Sequence, residues 1–277
     1  MQEPTRSSPR INLHPPTPGA SGQRPSATLT RRSALQLFLA GAGWLMTDVS
    51  CGGSKSTEPD DAAFPLRPGI YQRTLPPRNL RYTVAIPNSF KSDQAAPLIL
   101  ALHFGGQVTP FYGGLFLDGL VGPALHELEA IMVAPDAVAG TWSSPESEAN
   151  VLGLLDAIQG NYKIDTRRTL ITGYSMGGAG TWYMSARNQK RFAAALPMAG
   201  RPPADAVNVA WEIPIYAIHS RQDEVVPFGP TETAINQIKD KGASVEFVAV
   251  EGITHFETGR FTGPLRAAIP WIQKVWK

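Results

Sequence analysis

A serine stands between two glycines in Gly173-Tyr174-Ser175-Met176-Gly177, directly after the apolar run Leu170-Ile171-Thr172 and before Gly178-Ala179-Gly180 and a helix-length stretch. In a strand–turn–helix setting this spacing serves nucleophilic chemistry. Glycines two before and two after the serine omit the Cβ atoms that would hold strand and helix apart, and the sharp turn pushes the hydroxyl outward. The start of the following helix adds unpaired N–H groups and a positive dipole end beside that hydroxyl. The competing reading is a tight turn with no chemistry.

A serine hydroxyl is a weak nucleophile at neutral pH and needs an imidazole to take its proton. Of the five histidines, His14 lies in a polar leader, and His103 and His126 precede Ser175. In a strand–turn–helix serine site the acid and then the base follow the nucleophile, which leaves His219 and His255. His255 lies in Glu251-Gly252-Ile253-Thr254-His255-Phe256, a loop between the last strand-like and the last helix-like segments. His219 ends the apolar run Ile213 to His219 and reads as a buried, hydrogen-bonded strand end. The acid must orient the imidazole from a fixed loop ahead of it. Asp223, in Arg221-Gln222-Asp223-Glu224-Val225-Val226-Pro227, meets that need, with Glu224 and Asp205 as competing candidates and Arg221 as a surface charge.

Hydrolysis of an acyl bond also needs N–H donors for the developing oxyanion. The N–H of Met176, next after the serine, is one candidate, and the second belongs to Leu102-His103-Phe104-Gly105-Gly106-Gln107, where either Phe104 or Gly105 can supply it. The loop after His103 carries Phe104, Val108, Phe111, Tyr112, Leu115, Phe116 and Leu117. It is a candidate acyl or aryl cleft with Phe111 and Tyr112 at its wall, or else core. Trp142, after a further strand, is in the same position between cleft wall and packing.

These residues need a scaffold, and from about Phe64 short β-branched runs alternate with helix-length amphipathic stretches, the signal of an α/β layer structure. Expected strands are Gly69 to Gln72, Leu80 to Ile86, Pro97 to His103, Ala130 to Ala134, Thr169 to Thr172, Ala193 to Pro197, Ile213 to His219 and Val245 to Val250. Expected helices are Ser147 to Tyr162, Gly178 to Asn188, Thr231 to Lys241 and Gly263 to Val275. The fold class is therefore α/β with a mostly parallel central sheet flanked by helices. About 15 residues separate Pro197 from Ile213, too few for a large lid. No Cys/His cluster has metal-ligand spacing, so no metal or other cofactor is expected.

Composition agrees with a globular domain at residues 64–277: the chain is 43% hydrophobic and 17% charged. Its net charge of +2 comes from the first fifty residues, where five arginines face Glu3 and Asp48, so the rest gives nucleic acid no basic footprint. Residues 1–50 read as an export signal: a Pro-rich polar stretch, Arg31-Arg32, then an uncharged apolar segment from Ala34 to Met46, about 13 residues against the roughly 18 of a membrane span. The arginine pair resembles a twin-arginine signal. The lone Cys51 excludes an intramolecular disulfide, and with Ser50 before it resembles a lipoprotein cleavage site, although Asp48 departs from that pattern. Residues 51–63 read as a flexible tether. The expected location is periplasmic, membrane-anchored or extracellular, with lipid on Cys51 as the expected route to a membrane.

With Ser175, Asp223 and His255 in that order, residues 78–277 resemble the α/β-hydrolase superfamily. Thr172 to Trp182 and Arg191-Phe192-Ala193-Ala194-Ala195-Leu196-Pro197 resemble secreted bacterial carboxylesterases, near the feruloyl-esterase-like, polyhydroxybutyrate-depolymerase-like and predicted-peptidase groups. The resemblance implies ester hydrolysis by a Ser-His-Asp triad through an acyl-enzyme, without cofactor, on a small-molecule or polymer-derived ester. A serine peptidase or an acyltransferase would use the same three residues, whereas a non-enzymatic binding lipoprotein would have no need of all three. The sequence does not specify an oligomeric state.

Overall fold

The computed structural model describes residues 63–277; the expected export signal, Cys51 and all but the last residue of the expected tether lie outside the described residues. The strands are β1 (Gly69–Leu75), β2 (Leu80–Ile86), β3 (Ala96–Leu102), β4 (Ile131–Pro135), β5 (Ile164–Tyr174), β6 (Ala194–Met198), β7 (Ile215–Ser220) and β8 (Val245–Val250). They form one sheet in the order β1-β2-β4-β3-β5-β6-β7-β8. The β1–β2 and β2–β4 pairs are antiparallel, and every pair from β4 onward is parallel.

The residue patterns explain the pairing. β1 alternates half-buried and exposed positions, as an antiparallel edge strand with one wet face does. β3 is buried over its last six residues, Pro97 to Leu102, as a central parallel strand covered on both faces must be. Because successive side chains of a strand point to opposite faces, β3 feeds two cores. Leu98, Leu100 and Leu102 pack with α3 (Pro145–Asn161), α4 (Met176–Arg187) and α6 (Phe228–Asp240). Ile99 and Ala101 pack on the other face with α1 (Tyr112–Phe116), α2 (Gly122–Leu125), α7 (Thr262–Arg266) and α8 (Ile269–Val275). Between β6 and β7 lies only the four-residue α5 (Ala204–Val207) and no large lid.

Two expectations are corrected. The stretch after His103 was expected as a loop, yet residues 112–125 run through α1, a π-helical turn over Leu117–Val121 and α2. Gly113, Gly114, Gly119 and Gly122 hide the helical pattern because glycine is a poor helix former. At Gly113 the packing requires it: a Cβ there would sit 2.6 Å from the Ala134 carbonyl oxygen at the end of β4. The second correction concerns Gly263 to Val275, expected as one helix. It is two, because Pro270 opens α8 and cannot continue a helix from α7.

Among the described residues, no helix is long and apolar enough to cross a membrane. The two-faced burial of β3 yields a stability prediction. Leu100, fully buried, should lose about 2–5 kcal/mol on Leu100→Ala. Ile70, 66% exposed on β1, should lose no more than about 0.5 kcal/mol on Ile70→Ala. Urea denaturation of both variants measures the contrast, and equal losses would contradict the assignment of the core.

Candidate active site

In a parallel sheet the strands end at one edge, and loops leaving that edge meet in a crevice. Leu102 of β3 lies opposite Gly173 of β5, and Tyr174 lies opposite Met198 of β6, so these strand ends bring their loops together.

Ser175 occupies the turn between β5 and α4 at φ 56° and ψ −114°. A side-chain-bearing residue in that region stores strain that its surroundings must hold. They do so at both ends of the residue: the Ser175 N–H donates to the Met198 carbonyl at 2.9 Å, and the Ala179 N–H donates to the Ser175 carbonyl at 2.9 Å. Gly177 makes the turn possible, since a Cβ there would overlap the carbonyl oxygen of Leu102. A Cβ on Gly173 would likewise overlap the carbonyl oxygen of Gly177.

The structure brings Ser175, Asp223 and His255 into one hydrogen-bonded line. His255 Nε2 lies 2.7 Å from Ser175 Oγ, and Nδ1 lies 2.7 Å from Asp223 Oδ2. With Nδ1–H donated to the carboxylate, Nε2 carries the lone pair and accepts from the serine hydroxyl. His255 and Asp223 are buried, while Ser175 is half-buried. Asp223 Oδ1 accepts from the N–H groups of Val225 at 3.0 Å and Val226 at 2.7 Å. Burial works to raise the Asp223 carboxyl, but the hydrogen bonds from His255 and the Val226 N–H outweigh it and hold the group below the usual carboxylate range.

The competing candidates are placed elsewhere. His219, buried at the end of β7, donates from Nε2 to the Val226 carbonyl at 2.8 Å and lies 3.5 Å from Asp223 Oδ2. Asp205, on α5, accepts from the adjacent Ala206 N–H. Glu224 accepts from the His255 main-chain N–H at 2.9 Å rather than from its ring. Arg221 is exposed, its guanidinium 4.5 Å over the Phe228 ring.

The loop after β3 is built around His103, which is fully buried. Its Nε2 accepts from the Ala137 N–H at 3.0 Å, so Nδ1 carries the proton and donates to the Phe104 carbonyl at 2.7 Å. In a trans peptide the carbonyl and the following N–H point in opposite directions, so the Gly105 N–H faces away from His103. Gly105 is exposed, and a Cβ on it would stand 3.7 Å from Met176 Cβ. Met176 is the first residue of α4, so its N–H has no partner within the helix.

The remaining expected site residues divide. Tyr112 is half-buried, its ring 4.9 Å from that of His103 and 5.6 Å from that of Phe104. Phe111 precedes it at φ 61°, and its N–H donates to Asp136 Oδ2 at 2.8 Å. Trp142 is corrected: only 1% exposed, it donates from Nε1 to the His103 carbonyl at 2.8 Å and supports the loop from beneath instead of walling a cleft. Sequence reasoning missed Asp136 altogether. Buried at the end of β4, it accepts from Phe111 N, Gly113 N and Arg81 Nε. A carboxylate directly after a β-strand at the edge that carries the site was the available signal. Among the described residues, no group of three His, Cys, Asp or Glu side chains is placed to hold a metal ion.

Two buried imidazoles give a pH prediction. Burial pushes His103 and His219 below the ordinary 6.5, with the Phe104 and Val226 carbonyls pulling partly the other way. A base with a lowered native pKa takes up its proton more readily when unfolded. Its contribution to stability is therefore full above 6.5 and declines as the pH falls below that value. The Asp223 carboxyl, lowered from 3.8, acts only at more acid pH. Urea-unfolding free energy should thus be smaller at about pH 5.5 than at about pH 7.5, and His103→Gln should flatten that slope; an unaltered slope in the variant would contradict a neutral His103.

Known proteins resemble the part of the chain that carries these residues. Residues 134–260, which contain Ser175, Asp223 and His255, match the family model described as the dienelactone hydrolase family. A "Probable feruloyl esterase C" of Aspergillus terreus is 25% identical over 166 residues, covering 58% of this chain and 62% of the relative. The chain therefore spans less than two thirds of that relative's length. A solved thermostable esterase superposes with a TM-score of 0.63 at 22% identity, covering 74% of this chain and 62% of that one. A ferulic acid esterase does so with a TM-score of 0.63 at 18% identity, covering 77% and 100%. By the order of its sheet, the turn that carries Ser175 and its likeness to solved esterases, the chain has the α/β-hydrolase fold, and over residues 134–260 it is similar to the dienelactone hydrolase family.

Proposed function

We propose that this protein hydrolyses carboxylic esters through an acyl-enzyme formed on Ser175. The observation that carries the reading is the line from Asp223 through His255 to Ser175, with 2.7 Å at each link. His255 Nε2 takes the serine proton as Oγ attacks the ester carbonyl carbon, and Asp223 offsets the positive charge that appears on the ring. The tetrahedral oxygen is held by the Met176 N–H and a donor from the loop after β3. The outward direction of the Gly105 N–H supports Gly105 over Phe104 as that second donor. His255 then passes its proton to the departing alkoxide, which leaves as the alcohol. A water attacks the acyl-enzyme by the same proton route, releasing the acid and restoring Ser175.

The substrate class follows from access. Only α5 and short loops stand between β6 and β7, and Phe256, beside the base, is 73% exposed. An open site suits a small ester or one displayed on a larger molecule. The relatives' names support the same choice, since one is called a feruloyl esterase and another a bifunctional acetylxylan esterase/xylanase. Phe111 and Tyr112 flank the loop after β3, where an aryl or acyl group would lie. The Arg31-Arg32 pair and the apolar segment after it support work outside the cytoplasm.

The test is turnover of p-nitrophenyl esters from acetate to palmitate, methyl ferulate and a dipeptide anilide. Ser175→Ala should lower ester turnover by at least about a thousandfold, and Asp223→Asn by about a thousandfold or more. Ester turnover that survives Ser175→Ala would overturn the reading, and cleavage of the anilide alone would replace it with a peptidase.

A further inference from the structure

His255 sits in residues 251–257, a segment without strand or helix. Loss of about 1 Å in the position of a reacting group can lower a rate a hundredfold. A base on such a segment therefore needs a fixed main chain as well as a fixed ring. The ring is held by Asp223 and Ser175. The main chain is held by two other residues: Glu224 Oε2 accepts from the His255 N–H at 2.9 Å, and the Tyr174 hydroxyl donates to the His255 carbonyl at 2.7 Å. Every polar group of His255 is thus engaged.

These two residues are the chain neighbours of the other members of the line: Glu224 follows Asp223, and Tyr174 precedes Ser175. Each loop therefore reaches the base twice, once at the ring and once, through the adjacent residue, at the backbone. The rest of the acid loop follows the same alternation. The Ser220 hydroxyl donates to the Ile253 carbonyl, and Gln222 Oε1 accepts from the Gly252 N–H at 2.7 Å. Residues 220, 222 and 224 face the base loop, while Asp223 turns to the imidazole. A carboxylate is the stronger acceptor for a main-chain N–H, which suits Glu224 to its place. Burial, reinforced by the nearby Asp223 and Glu224 charges, pushes the Tyr174 hydroxyl well above its usual range, so it stays an O–H donor.

We infer that Glu224 and Tyr174 are positioning residues for the base, fixing the His255 backbone so that its ring stands between Asp223 and Ser175. The inference rests on the ester-hydrolase reading. Glu224 is exposed, so its contact serves placement more than core stability. Tyr174 is buried, and Tyr174→Phe keeps its packing while removing the hydroxyl.

The experiment measures kcat, KM and the rate of fluorophosphonate labelling of Ser175 for the purified protein and its Glu224→Ala, Glu224→Gln, Tyr174→Phe and Ser175→Ala variants, with a thermal melt of each. With p-nitrophenyl acetate as substrate, Glu224→Ala should lower kcat and the labelling rate together by about tenfold, with KM within about twofold. Glu224→Gln, whose amide oxygen accepts the same N–H, should return kcat to within about threefold of the parent, and Tyr174→Phe should lower it by about tenfold. Glu224→Ala with parental kcat overturns the inference, as does Glu224→Gln falling as far as Glu224→Ala, or a loss confined to KM. Parental turnover that survives Ser175→Ala overturns the ester-hydrolase reading itself, a separate outcome. Turnover lost in Ser175→Ala but retained in Glu224→Ala overturns this inference alone.

Discussion

The approach of α4 to the ends of β3 and β6 is the constraint from which the site follows. Gly177 lies so close to the Leu102 carbonyl that no side chain fits, and Ser175 is left at φ 56° with its N–H on Met198. A serine in that conformation is strained, and the strain is held because both neighbouring strands are buried on two faces and cannot yield. Three consequences come with the one contact. The half-buried hydroxyl stands at the edge of the sheet within reach of His255, the Met176 N–H opens a helix with no partner behind it, and the loop after β3 is drawn alongside Met176. A looser packing would lose all three, because each depends on where α4 begins.

The same edge explains why Asp223 and His255 meet although their loops lie far apart along the chain. β7 and β8 are parallel neighbours with an unbroken register from Ile215↔Val245 to Ser220↔Val250. Their loops therefore leave side by side, and the Arg221 N–H is bonded to the Val250 carbonyl at 2.9 Å. Asp223 and His255 are thirty-two residues apart in sequence. They meet because two strands of equal length end together.

Much of this was legible in the sequence, and the reasons differ from element to element. An unbroken apolar run such as Leu98 to Leu102 has the pattern of a central parallel strand, whereas the alternating exposure of Gly69 to Leu75 is a burial pattern that the run Ile70-Tyr71-Gln72-Arg73 does not spell out. The types and order of Ser175, Asp223 and His255 picked them out, and the structure brings their side chains into one line. The helical run at residues 112–125 was not legible, because its glycines lower local propensity and its stability comes from packing on β4. Trp142 was not legible either: an aromatic near a site reads alike whether it faces the cleft or lies under it, and only its bond to the His103 carbonyl settles which. Glu224 was weighed as an acid for the imidazole, yet it serves the main chain of the same residue. Sequence carries side-chain chemistry well but says little about which backbone groups a side chain will find.

The placement of the second imidazole bears on where the proposed mechanism would keep its proton. Asp223 Oδ2 lies 2.7 Å from His255 and 3.5 Å from His219, so one carboxylate oxygen faces two groups that can each carry a positive charge. Charging both would divide the carboxylate between them, and under the proposed mechanism would leave the proton taken from Ser175 without full compensation. Burial keeps His219 neutral, and a charge on His255 would push its pKa lower still. Its Nε2–H is given to the Val226 carbonyl, while the Val226 N–H is given to Asp223 Oδ1, so the acid loop is closed on itself by His219 without drawing on the charge of the acid. The Asp223 oxygen that faces both rings thereby keeps its short hydrogen bond for His255, and under the proposed mechanism a histidine that transfers no proton helps to decide which one does.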